Sequence, residues 1–169
     1  MDKQYYVTLL VAHAGVIRGL AQGLTSEQAH WRPDTASWSV VEVINHLVDE
    51  EVEDFRAHLA GLLSQPIQPW TTINPQVWVA ERQYQARQME PSLEAFLQAR
   101  SESLVWLEGL AEPDWTAFYD LTWGKLSAGD LLASWAAHDL LHIRQLTELN
   151  YALLTQAALP ERVSYAGEW

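Results

Sequence analysis

Apolar residues recur along this chain every three to four positions, and nowhere does an apolar–polar alternation run long enough to predict a strand. That period belongs to helices that bury one stripe, so the chain is restricted to packing helix against helix. A first helix is predicted from about Lys3 to Gly23, with Leu9, Leu10, His13, Val16, Ile17 and Leu20 as its buried stripe. The stretch TSEQAHWRPDTASW then reads as a turn of helix and a loop, because Pro33 and Asp34 break helix. Ser39 with Glu42 three residues later forms a capping box, which opens a second amphipathic helix reaching about Leu63. Three prolines in QPIQPWTTINP require a loop, and a shorter helix is expected over about Gln76 to Gln88. Pro91 suits the first turn of a third long helix, which continues to about Leu110 on the stripe Leu93, Phe96, Leu97, Leu104 and Leu107. After the connection AEPDWTAFYDLTWGK, Ser127 and Asp130 mark the start of a last helix running to about Leu154. The tail, with Pro160 and Gly167, is expected to lie irregularly on the surface. The fold class predicted is all-α, a four-helix bundle. No repeat, low-complexity stretch or linker divides the chain, so residues 1–169 are expected to form a single domain.

Composition removes several function classes. The formal charge is −12, with 22 acids against 10 bases, and no Lys/Arg cluster exists that could neutralise nucleic-acid phosphates or an anionic membrane. No apolar stretch approaches the roughly 18–20 residues that cross a bilayer. The start MDKQYYVTLL has no basic segment followed by an apolar run, so the cytoplasm is the expected location. With no cysteine, sulfur-ligated metals, disulfides and thiolate nucleophiles are out of reach.

The chemistry-bearing residues are histidines. His138 and His142 are four apart in a predicted helix and share one face, where two imidazoles can hold one ion at the ~2.0–2.1 Å of zinc–nitrogen bonds. The same spacing also suits a partly exposed edge or two core histidines with satisfied rings. His46 lies two turns into the capped helix between Ile44 and Leu47; it reads either as a core histidine or as a third ligand, if that helix meets the last one.

The run WSVVEVINHL, followed far downstream by HDLLHIRQL, resembles the two signature stretches of the DinB/YfiT-like family. The resemblance spans essentially the whole chain. It implies a four-helix bundle and a metal triad of His46 from the second long helix with His138 and His142 from the fourth. Three nitrogens would leave positions open for water or substrate; imidazole suits Zn, Ni, Cu and Fe alike, so ligand type does not choose the metal, and a divalent ion is expected, Zn or Ni first, then Fe or Mn. The family contains transferases of low-molecular-weight thiols, a mycothiol-dependent isomerase and many uncharacterised hydrolases. The resemblance therefore implies a metal-dependent enzyme that performs thiol S-transfer or hydrolysis on a small molecule, and it favours a homodimer. A non-catalytic stress-response or binding protein with a structural or vestigial metal is the alternative, and an interaction module of Trp-rich loops is a third.

Among the acids, Glu50 is one helical turn from His46 and is the candidate catalytic residue, as general base or as a partner for a ligand ring. Glu42 is explained by capping. Asp49 and Asp139 are expected to face solvent, as are Asp54 and Arg56; His30 and His58 are read as surface residues. His13 is expected as a satisfied core histidine. The resemblance makes Arg100 a candidate for an anionic substrate group. Of the nine tryptophans, Trp38, Trp106 and Trp135 are read as core, whereas Trp70, Trp78, Trp115 and Trp123 could wall a pocket mouth or a subunit contact.

Overall fold

A computed structural model describes residues 1–167. The long helices are α1 (Lys3–Ala21), α3 (Val40–Asp49) continued by a π-helical turn (Glu50–Phe55) into α4 (Arg56–Leu63), α6 (Met89–Gly109) and α7 (Ala128–Ala157). Short helices α2 (Ser26–His30) and α5 (Pro75–Glu81) lie in the connections. Helix α1 packs on α6 and α7, α3 on α6, and α4 on α7, which closes a four-helix bundle. No described helix is long and apolar enough to cross a membrane.

The core is two apolar clusters, not one. One gathers Ile17, Val41, Ile44, Leu93, Phe96 and Leu146; the other gathers Leu10, Leu59, Leu62, Leu107, Leu132 and Trp135. On each long helix the break between the clusters falls at buried polar residues: His13 on α1, Glu50 and Glu51 in the π-helical turn, Arg100 and Ser103 on α6, Asp139 and His142 on α7. A polar layer therefore crosses the whole bundle at one level. The widened π-helical turn keeps residues four apart on one side, so Leu47, Glu51, Phe55 and Leu59 all point inward.

Three local expectations change. The connection before α7 contains an antiparallel hairpin, β1 (Phe118–Leu121) with β2 (Gly124–Ser127), pairing Tyr119 with Leu126. Four residues per strand are too few for a legible alternation; the turn is closed by Gly124, at a φ of 137° that favours glycine. The helix expected to Gln88 stops at Glu81, because Gln83 turns left-handed at φ 52° before a 3₁₀ turn over Tyr84–Ala86. The expected irregular tail includes a 3₁₀ turn at Ser164–Ala166, and residues 168–169 lie outside the described part.

Candidate metal centre

Two capping boxes set the two helices that carry the histidines. On α3, the Glu42 carboxylate accepts from the Ser39 N–H at 2.8 Å; on α7, the Ser127 hydroxyl accepts from the Asp130 N–H at 3.0 Å. Glu42 is also forked by Arg32, so its cap is itself anchored.

The packing of α3 and its π-helical extension against α7 brings His46, His138 and His142 together. One ring nitrogen from each lies within 4.8 Å of the others, and the Nε2 atoms of His138 and His142 are 3.1 Å apart. His142 Nδ1 lies 2.8 Å from Gln145 Oε1, an acceptor, so Nδ1 carries the proton and the neutral ring turns its bare Nε2 toward His138. Trp38 meets His46 edge-on at 4.9 Å, and Phe55 packs on His138 at 5.1 Å between ring centres. Burial, reinforced by the neighbouring rings, holds His46 and His138 down to about 3, and burial keeps His142 below its ordinary value despite its Gln145 hydrogen bond and the Asp139 charge. All three imidazoles are therefore neutral at pH 7, with lone pairs available. Two nitrogens sharing a tetrahedral ion at ~2.0–2.1 Å stand about 3.3 Å apart, close to the spacing of the α7 pair. His46 Nδ1 is buried without a hydrogen bond. The donor set and the unsatisfied ring fit a divalent cation.

Glu50 comes to the same place, its two oxygens 4.0 Å from His46 Nδ1 and 3.8 Å from His138 Nε2. Burial, then the hydrogen bond to Asp54, then the charges of Asp54 and Asp49 push its carboxyl up to about 9. A cleft of about 740 Å³ opens over these groups. Its walls include Pro33, Trp38, Pro75, Leu141 and Leu149; its one arginine, Arg144, is 2.8 Å from Glu148.

Several residues stand elsewhere than expected. Arg100 does not face the cleft: it is 2% exposed and bound by Glu51 and Asp139 at 2.7–2.9 Å. Asp139 and Asp49 are buried rather than solvent-facing, the latter held by Arg82 at 2.7 Å and by the Tyr84 hydroxyl. His58 is buried too, bonded to Asp54 at 2.7 Å and to the Thr71 carbonyl at 2.8 Å, with Trp70 stacked on it at 3.8 Å. His30 is half-buried, its Nε2 3.0 Å from the Arg87 carbonyl oxygen. Asp54 and Arg56 are half-buried as well; Arg56 reaches Glu102 at 3.6 Å. His13 is buried as expected but its Nδ1 makes no hydrogen bond, though Asp139 is 3.3 Å away. Trp70, Trp78, Trp115 and Trp123 do not line the cleft; Trp38 does. Glu51, absent from the sequence reading, had one signal: it follows Leu47 and precedes Phe55 by four residues on the inward stripe.

A family profile for the DinB superfamily matches residues 9–146, most of the chain and all three histidines. The chain belongs to the DinB superfamily. Among solved structures it is similar to YfiT from Bacillus subtilis, described as "a probable metal-dependent hydrolase with an unusual four-helix bundle topology". The TM-score is 0.74 at 16% identity, over 90% of this chain and 87% of YfiT. At that identity the likeness establishes the fold this DinB-superfamily chain shares with YfiT. No curated protein matches the chain.

Proposed function

We propose that this DinB-superfamily protein is a metal-dependent enzyme acting on a small molecule, with His46, His138 and His142 as ligands and Glu50 as its catalytic acid–base group. The observation that carries the reading is the convergence of three neutral imidazole nitrogens within 4.8 Å at the floor of an open cleft. A divalent ion held there, Zn or Ni first among candidates, would supply a Lewis acid and acidify water or a thiol. Glu50 lies where it can hold or deliver a proton at its Oε atoms to whatever occupies the cleft. Trp38, Leu141 and Leu149 give the cleft an apolar wall for the body of the substrate, and a volume of about 740 Å³ suits a ligand of drug-like size. Hydrolysis comes first because YfiT is described as "a probable metal-dependent hydrolase"; S-transfer from a low-molecular-weight thiol would use the same residues.

Metal analysis of gently purified protein should find close to one equivalent of a divalent ion, removable by chelator with loss of thermal stability. The loaded protein should then turn over a member of a panel of esters, amides and thiol-plus-electrophile pairs, and Glu50→Gln should lose that activity while keeping its metal. Failure to bind Zn or Ni would end the enzymatic reading. Stoichiometric metal with no exchangeable water would instead favour the structural-metal alternative.

A further inference from the structure

Behind the histidines, the polar layer is organised around one guanidinium. Arg100 has five N–H donors and each has an acceptor. Nε donates to Glu51 Oε1 at 2.9 Å; Nη1 donates to the Leu10 carbonyl at 3.0 Å and Asp139 Oδ2 at 2.7 Å; Nη2 donates to Glu51 Oε2 and Asp139 Oδ1, both at 2.8 Å. Arg100 thus grips two carboxylates with a planar fork on each, from α6, while they belong to the π-helical turn and to α7. Fork geometry of this kind tolerates little displacement.

The two carboxylates sit next in sequence to groups of the candidate centre: Glu51 follows Glu50, and Asp139 follows His138. Side-chain packing joins the same places. Trp135 Nε1 donates to Glu51 Oε2 at 3.0 Å, Phe55 stacks on Trp135 with ring centres 5.8 Å apart, and Phe55 also meets His138 at 5.1 Å. A buried ion pair is weak evidence for stability, because well-packed apolar residues in its place are often neutral or stabilising; fixing register is its best-attested use.

We propose that Arg100, Glu51 and Asp139 are positioning residues of the metal centre, locking the register of α7 against the π-helical turn so that imidazoles from two helices converge on one ion. This inference rests on the metal-site reading above. It assigns the arginine a task toward the ligand helices and none toward substrate.

Two variants test it. In Glu51→Gln/Arg100→Met/Asp139→Leu the ionic fork is replaced by largely apolar volume, with glutamine retained to accept from Trp135. In R100K the charge stays and the planar fork is lost. Zinc affinity by competition with a chromophoric chelator, and the visible spectrum of the Co²⁺-loaded protein, are read beside melting temperature in excess EDTA. The triple variant should melt within a few degrees of wild type yet bind zinc about 10–100-fold more weakly, with an altered cobalt spectrum. R100K should also lose affinity and shift the spectrum, which separates geometry from net charge. If the triple variant does not fold, R100K alone decides. Wild-type affinity and spectrum in a folded variant overturn the proposal while leaving the metal reading intact. Absence of metal binding by the wild-type protein overturns both.

Discussion

Replacing Arg100 alone by methionine is a harsher perturbation than replacing its whole network. It strands Glu51 and Asp139, which are 2% and 0% exposed, without the partner that supplied four of their hydrogen bonds. Removing one member of a buried ion pair costs about 3–5 kcal/mol, because the surviving charge keeps its desolvation penalty and loses its compensation. At roughly 2–4 °C per kcal/mol for a chain of this size, Arg100→Met should melt about 6–20 °C below wild type. Urea denaturation of both proteins in EDTA at pH 7.5 measures this directly. A deficit under about 1 kcal/mol would refute the assignment of these carboxylates as a buried ion pair dependent on Arg100.

Other outcomes follow from single features. In EDTA, His46→Leu should melt at or above wild type, since it removes a buried unpaired ring nitrogen, and added zinc should then raise only the wild type. Burial opposes charge on His58, but the Asp54 hydrogen bond, the Thr71 carbonyl and the Asp54 charge outweigh it and raise its pKa. The wild-type advantage over His58→Gln should therefore be complete below about pH 6.5 and disappear as pH rises through the raised value, as read by denaturant titration. Ser127→Ala removes the cap of the helix bearing His138 and His142 and should cost about 0.5–2 kcal/mol by the same assay.

The bundle was legible because its signals are local. Ser39 with Glu42, Ser127 with Asp130, and stripes such as Leu93, Phe96 and Leu107 each act within one helix. The spacing of His138 and His142 is likewise intrahelical, whereas the position of His46 leaves it either a core histidine or a third ligand, and the family resemblance favours the ligand. What escaped the sequence depends on contacts between helices. Arg100 occupies the stripe that runs Leu93, Phe96, Arg100, Ser103, Leu107, and Asp139 the stripe Trp135, Asp139, His142, Leu146. Both positions said buried while both residue types said exposed, and the partner that reconciles them lies on another helix. Asp49 is the same case: an acid expected at the surface is buried beside Glu50 and Glu51, and the groups that hold it, Arg82 and the Tyr84 hydroxyl, lie beyond the end of its helix.

The interruption of the core at one level divides labour along the molecule. Hydrophobic free energy is stored at the two ends of the bundle, while the waist between them is occupied by groups that stabilise little for their volume. Exchanged as a set rather than singly, the paired side chains at the waist can give way to other groups with both ends still clamped, which gives these four helices a midsection replaceable only as a unit.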